Sequence, residues 1–560
     1  MKKARFLASL LAISMLATAL SACGSSGGAA SSSGTASVAA SSEAPSYLDN
    51  MTAPGEYPIV KEQVKLRVWM SPPSWVGDLD ENTFTKYYEE KTNIDFEFIR
   101  NNMEDHWDKM NLILASQADL PDVFLSWGIN NAQQMTYGAQ GVFLPLNGYI
   151  DQYGKYTKQV FAYSDVIEKS ITAPDGNIYG LPAINECYHC TMPYKVWVDE
   201  TWLNNLNIPM PKTTDEFYEM LKAFKEQDAN GNGDPNDEIP MTKATWSAEI
   251  DMFLMNAFAY NAGGSRWYLE NDTVIAQAVT PQWREGLRYM NKLYSEGLID
   301  PEFMISDNDK VKLLTGDPNG NRAGVVACGA VQFVDTSLDV KENFVAIPPL
   351  TGPEGVHFTA QYPMGMGQGN FVITKECEIP EIAFRFGDSI YQCYIEEDFN
   401  LFGVPQGEVW DLPNEGDVGL DGKPAKYRVI KSGQEPNNFT WSEGINTFLT
   451  ADFRNGLAVD ISNWDSFHEK ILYDETKNKY DGNGPAQIMP NLFYTEEEQE
   501  QVTELAALVE KSITENIVAF ITNTRDINDD AQWEAYTKEL EDMGYSKLRE
   551  IVQGAYDRIK

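Results

Sequence analysis

The chain has 560 residues, with 43 Lys+Arg against 83 Asp+Glu and a formal net charge of −40. Hydrophobic residues make up 43% and aromatics 12%, which excludes disorder over most of the length and gives enough apolar material for more than one core. The acidity argues against nucleic-acid partners and against adsorption to anionic lipid, and six Cys in a chain this long are not a disulfide scaffold.

Met1-Lys2-Lys3-Ala4-Arg5 is a basic start, and Phe6 to Leu20 follows without a charge. That run is short for a membrane-spanning helix and fits the apolar stretch of a signal peptide. Leu20-Ser21-Ala22-Cys23 resembles the lipobox of bacterial lipoproteins, which implies residues 1–23 as leader and Cys23 as the lipidated residue. Gly24 to Ser46 holds nine Ser, four Gly and six Ala, a composition that cannot bury enough apolar surface to order itself. Residues 24–60 are therefore expected to be a flexible tether. The membrane is then touched through the lipid anchor only, with the body outside the cell.

Alternation over Val64–Met70 predicts a strand running into Ser71-Pro72-Pro73. A helix is expected over 80–91, a strand over 94–98, a helix over 104–118 and a strand over 122–125 closed by Ser126-Trp127-Gly128. Strands alternating with helices imply parallel βαβ units, whose ligands bind at the carboxyl ends of strands. The loops at 71–77 and 126–130 are thus natural binding loops. Thr213-Thr214-Asp215-Glu216 has the form of a capping box, and Phe217, Met220, Leu221 and Phe224 follow at helical spacing. Further helices are expected from Thr495 to about Ile521 and as a pair over 530–558.

Directly after the capped helix comes Asp228-Ala-Asn230-Gly-Asn232-Gly233-Asp234-Pro-Asn236-Asp237-Glu238. Alternate residues of a tight loop can converge oxygens on one Ca²⁺, and the first half matches an EF-hand loop. Position 12 is Ile239 instead of Glu, so Asp237 and Glu238 must close the site. The expected metal residues are Asp228, Asn230, Asn232, Asp234, Asp237 and Glu238, with calcium as a structural ion and Asn236 left open.

Several runs resemble one family in chain order. They are Asn177-Ile-Tyr-Gly-Leu-Pro182, Asp199-Glu-Thr-Trp-Leu203, Pro211-Lys-Thr-Thr-Asp-Glu-Phe217, Gly352-Pro-Glu-Gly355, Asp421-Gly-Lys-Pro424 and the closing Ile551-Val-Gln-Gly-Ala-Tyr556. Together they resemble the carbohydrate-binding extracellular solute-binding lipoproteins of ABC importers found in Gram-positive bacteria. The resemblance implies an α/β fold of two interleaved lobes with hinge strands, like periplasmic binding proteins, and a helical C-terminal extension. Lobe one would comprise 61–180 plus 346–405, and lobe two 181–345 plus 406–560 with the appended helices. It also implies a monomer that captures an oligosaccharide and delivers it to permease subunits, with no catalysis. The family carries a similar loop ending in Asp-Glu-Ile-Pro.

Sugar sites stack aromatics and add a few orienting polar groups. Trp75, Trp127, Trp246 and Trp441 lie in or beside polar or Gly/Pro-bearing segments, Glu186 and Tyr188 follow the expected hinge strand, and Tyr362 lies near the return to lobe one. These seven are the expected ligand-binding set. Trp69, Trp107, Trp202 and Trp533 are expected in cores. Four His show no metalloprotease spacing, and there is no phosphate-binding loop. Cys187-Tyr-His-Cys190 lacks a second Cys pair to support zinc, so a local disulfide or two unreactive thiols is expected. A secreted polysaccharide hydrolase or lyase, a receptor for peptides or other solutes, and a receptor serving a sensor kinase remain open.

Overall fold

The computed structural model describes residues 46–101, 105–330, 343–363, 365–396, 406–431, 436–441 and 444–560. The leader, most of the expected tether and Cys23 lie outside the described residues. Fourteen strands occur among those described: β1 Val64–Met70, β2 Ile94–Arg100, β3 Val123–Leu125, β4 Leu181–Asn185, β5 Val196–Asp199, β6 Ile239–Lys243, β7 Trp267–Glu270, β8 Thr273–Ala276, β9 Ala323–Ala327, β10 Phe344–Ala346, β11 Gly365–Ile373, β12 Trp410–Asp411, β13 Arg428–Val429 and β14 Phe448–Leu449.

They form two principal sheets. Sheet one has the order β14-β4-β11-β3-β1-β2, and sheet two the order β10-β5-β9-β6. In sheet one only β11 opposes the others; in sheet two only β5 does. The expected βαβ units therefore exist, and helices cover the sheets. The capping boxes at Thr213 and Thr495 form, starting the helices Thr214–Glu226 and Glu496–Ile521. The final pair is Asp530–Asp542 and Tyr545–Asp557.

Each sheet has its own core. Leu66, Val68, Val123, Leu125, Leu181, Ile184, Phe371 and Ile373 belong to the first. Trp197, Met241, Val325, Trp202 and Phe224 belong to the second, together with Val509, Ile513 and Phe520 of Glu496–Ile521. The C-terminal helices thus complete the sheet-two core and are not an appendage to it.

The expected boundaries need three corrections. Residues 47–60 are not tether: Ile59 and Val60 are fully buried in the sheet-one core, and Tyr47 Oη donates to Glu381 Oε2 at 2.6 Å. The Ser/Gly/Ala composition stops at 46, and the apolar residues beyond it have a surface to cover. Residues 181–185, expected in lobe two, are β4 of sheet one, held between β11 and β14. Residues 437–441 and 444–449, also expected in lobe two, belong with sheet one: Asn437 bridges Val76, and β14 pairs with β4.

Register fixes how the two sheets are joined. Gly365 and Leu449 both sit opposite Asn185, so the start of β11 and the ends of β4 and β14 meet at one point on the carboxyl edge of sheet one. In sheet two, Val196 sits opposite Ala327 and Trp197 opposite Ala346, so the start of β5 and the ends of β9 and β10 meet likewise. Three crossing segments therefore join the two: 186–195 and 347–363 run between the carboxyl edges, and 450–463 leads from β14 into the helix Trp464–Glu475, whose Leu472 lies in the sheet-two core. Tyr362 N–H donates to Thr191 O at 2.8 Å, tying the first two segments together.

Lys195 lies at the end of the first crossing, fully enclosed. Its Nζ donates to Met192 O at 2.5 Å and stands 5.2 Å from the centre of the Tyr480 ring. Burial pushes this ammonium down to about 7 against the opposing pull of Glu475. The folded chain then holds fewer protons than the unfolded chain between about pH 7 and 10.5, and this group's contribution to stability rises with pH across that window. Lys195→Met is expected to raise Tm more at pH 7 than at pH 9. An equal shift at both pH values, by differential scanning fluorimetry, would contradict the assignment.

Candidate functional site

The loops that follow β1 and β3 carry Trp75 and Trp127. Asn370 of β11 organises them: its Nδ2 donates to Ser126 O at 3.3 Å and to Gly444 O at 3.1 Å, and its Oδ1 accepts from Ala183 N at 3.3 Å. Gly369 is required beside it. Its φ is +61°, and a Cβ there would stand 2.3 Å from Ile129 O. The bulge that this glycine permits presses β11 against the 126–130 loop. Trp127 Nε1 is buried there without a protein partner. Trp75 is 37% exposed, and its carbonyl accepts from Asn437 N at 2.8 Å.

Ser71, directly after β1, lies 2.6 Å by its Oγ from His106 Nδ1. Burial moves the His106 imidazole below its ordinary pKa, opposed by the Trp127 backbone, so the ring is held toward its neutral form. Beside it Trp107 is 48% exposed, which corrects the expectation of a core position. The helix His106–Ser116 turns its Met110 and Leu114 inward instead. Trp107 opens that helix just beyond the end of β2, so it joins Trp75 and Trp127 on the carboxyl edge. Spacing alone puts the ring at i, i+3, i+7 with Met110 and Leu114, but the buried row of this helix is His106, Met110 and Leu114, and Trp107 sits in its first turn.

On sheet two, Trp246 follows β6, is 45% exposed, and accepts from Gly329 N at its carbonyl at 2.8 Å. Its indole covers Gly329, where any Cβ would stand 2.6 Å from the ring. Between the sheets, Tyr188 packs on Tyr473 with ring centres 5.2 Å apart. Tyr362 donates to Ala262 O at 2.9 Å and neighbours Tyr194 at 6.2 Å. Glu186 Oε2 accepts from Tyr163 Oη and from Ala451 N, each at 2.6 Å, so its carboxylate links the first and third crossings.

Trp441 is the exception among the seven. It is 1% exposed, its ring meets Phe84, Tyr88, Phe96 and Phe98, and Nε1 donates to Thr85 Oγ1 at 2.7 Å. The indole fills the sheet-one core. A groove of about 660 Å³ bounded by Val64, Arg67, Asp122 and Glu378 lies at the amino-terminal edge of the same sheet, the far end of the strands from these loops.

The loop 228–238 forms a second site. Gly231 and Gly233 take φ of +75° and +97°, folding the chain back on itself. Asp228 Oδ2 accepts from Gly233 N at 2.9 Å, and Asp237 accepts from the Asn230 and Asn232 amides at 3.2 and 3.0 Å. Asp228 Oδ1 and Glu238 Oε2 are buried with no partner. Burial, with the charge of Asp237 adding to it, raises the Glu238 carboxyl above its ordinary range. Two orphaned carboxylate oxygens among amide oxygens are a donor set that suits a hard cation. The Asp234 carboxylate turns to Asn236, leaving only its carbonyl for an ion.

Cys187 and Cys190 form a disulfide within the first crossing, while Cys328, Cys377 and Cys393 are buried. Among the described residues no helix is long and apolar enough to cross a membrane.

Residues 73–390 match the profile of the bacterial extracellular solute-binding protein family, more than half of the chain. The chain belongs to this family. A relative of this solute-binding protein is the fructooligosaccharide ABC transporter substrate-binding protein FusA of Streptococcus pneumoniae serotype 4, 26% identical over 523 residues and 90% of this chain and 91% of FusA. A structure of the FusA EF-hand mutant with fructo-nystose superimposes with a TM-score of 0.71 at 24% identity, covering 88% of this chain and 99% of that one. A solute-binding protein from Bifidobacterium longum infantis, described as binding HMO, gives a TM-score of 0.73 at 20% identity over 88% and 99%. These structures show the two-lobe, periplasmic-binding-protein-like fold of the solute-binding protein.

Proposed function

We propose that the protein captures an oligosaccharide between the carboxyl edges of its two sheets and hands it to the permease of an ABC importer, without chemistry on the ligand. The observation that carries this reading is the register. Three segments join the two lobes beside the exposed Trp75, Trp107 and Trp246 and the half-buried Trp127, so a change at the crossings moves one set of aromatics relative to the other. Tyr188 and Tyr362 line the crossings. Trp127 Nε1 has no protein partner, and the exposed indoles offer faces for the C–H surface of a pyranose or furanose. FusA, which binds fructooligosaccharide, supports a sugar as the ligand class.

Around this site the reading adds a lipid anchor at Cys23, a position on the outer face of the cell membrane and a monomeric state. It also adds a structural Ca²⁺ held by Asp228, Asn230, Asn232, Asp237 and Glu238 with the Asp234 carbonyl. The solved FusA EF-hand mutant supports the ion.

A thermal-shift screen of defined glycans, beginning with fructooligosaccharides, tests the function. At least one glycan is expected to raise Tm in a concentration-dependent way with no release of reducing ends. Trp127→Ala is expected to weaken that glycan about 30-fold, roughly 2 kcal/mol. Turnover of a glycan with no binding shift in any would sink the proposal.

A further inference from the structure

In the first crossing the His189 imidazole lies against both cysteine sulfurs. Nε2 is 3.4 Å from Cys187 Sγ, and Nδ1 is 3.8 Å from Cys190 Sγ. The same Nε2 faces Glu469 Oε2 at 3.1 Å, reaching across from the helix Trp464–Glu475. Arg454 Nη2 fixes that oxygen from its other side at 3.0 Å. Among the described residues, Cys187, His189 and Cys190 are the one group of three such side chains whose ligand atoms all lie within 4.8 Å of one another.

We propose that, once the Cys187–Cys190 disulfide is reduced, the two thiolates, His189 Nε2 and Glu469 Oε2 form a four-coordinate site for Zn²⁺ or another borderline-soft divalent ion. Tetrahedral zinc, with bonds of about 2.3 Å to sulfur and about 2.0–2.2 Å to nitrogen and oxygen, sets S···N edges of ~3.5 Å and N···O edges of ~3.4 Å. The two edges already present, 3.4 and 3.1 Å, lie within a few tenths of an ångström of these. The sulfurs must part to ~3.8 Å, which side-chain rotation supplies across a Cα–Cα distance of 5.2 Å. Cys190, the exposed member, is the sulfur free to swing to Nε2, while Cys187 is buried in place. Two thiolates and a carboxylate around a dication leave one negative charge, which the Arg454 guanidinium faces.

Reduction needs an external two-electron reductant, such as a dithiol. Its thiolate attacks Cys190 Sγ, the Sγ–Sγ bond breaks, and Cys187 leaves as thiolate. The second thiol of the reductant then resolves the mixed disulfide, and the reductant departs oxidised by two electrons. Metal binding displaces the thiol protons to solvent. Because Glu469 belongs to a helix that packs on the sheet-two core, the ion would pin the first crossing to that lobe.

The test uses the full chain with excess Ca²⁺, so that the oxygen-rich loop is filled. Reduced with a phosphine and desalted, it is expected to retain one Zn²⁺ per chain by elemental mass spectrometry. Co²⁺ is expected to give a thiolate charge-transfer band. The oxidised chain and the Cys187→Ser/Cys190→Ser variant are expected to give neither, and Glu469→Gln to weaken Zn²⁺ about tenfold or more while keeping the band. The proposal is overturned if the reduced chain retains no stoichiometric Zn²⁺. It is equally overturned if the oxidised or double-serine chain binds as well, or if Glu469→Gln binds unchanged. The oxidised wild type is a control that does not depend on a variant folding.

Discussion

Removal of divalent cations with EDTA is expected to lower Tm by roughly 5–10 °C, with Ca²⁺ restoring it and Mg²⁺ restoring much less. The loop 228–238 sits between the helix Thr214–Glu226, which packs Phe217, Leu221 and Phe224 into the sheet-two core, and β6, a strand of that sheet. Without an ion, Asp228, Asp237 and Glu238 crowd together, and Asp228 Oδ1 and Glu238 Oε2 are buried without partners. An ion present at a thousand times its dissociation constant stabilises by about 4 kcal/mol, and a large lobe converts each kcal/mol to roughly 2 °C. Glu238→Gln keeps the shape but removes a charge, and is expected to abolish most of the Ca²⁺ response. A Tm indifferent to both EDTA and Ca²⁺ would remove the ion from this account.

Trp441→Ala is expected to destabilise the protein by about 3–5 kcal/mol, because it empties the middle of an aromatic cluster that cannot close over the gap. Trp441→Phe keeps most of the volume and loses the Thr85 hydrogen bond, at a cost of about 1 kcal/mol. Glycan affinity of either variant, measured by calorimetry well below its Tm, is expected to stay within twofold of wild type. Lost affinity at retained stability would return the indole to the binding surface.

Trp441 also shows what a sequence conveys about such a site and what it withholds. Local patterns were legible: Val64–Met70 is a strand with the expected ends, the capping box at Thr213 starts its helix, and the helix expected from Thr495 begins there. The carboxyl-edge loops followed from the βαβ alternation, and Trp75 and Trp127 with them. Partners hundreds of residues away were not legible. Trp441 is core because Phe84 and Phe386 reach it, and β4 belongs to sheet one because β11 and β14 flank it. Glu469 meets His189 from 280 residues downstream. Trp107 was misplaced because spacing gives its helix face and not what covers the first turn, where His106 takes the buried place.

The order in which the strands are strung along the chain has a consequence for how the molecule comes into being. Sheet one gains its outer strand only at Phe448–Leu449, and the sheet-two core needs residues of Glu496–Ile521 and Tyr545–Asp557. A growing chain that has emerged as far as residue 390, the last residue of the family match, holds pieces of both cores and the whole of neither. Lobe one can close only after residue 449 has emerged and lobe two only after Tyr545–Asp557 has, so both are finished late and lobe one comes first.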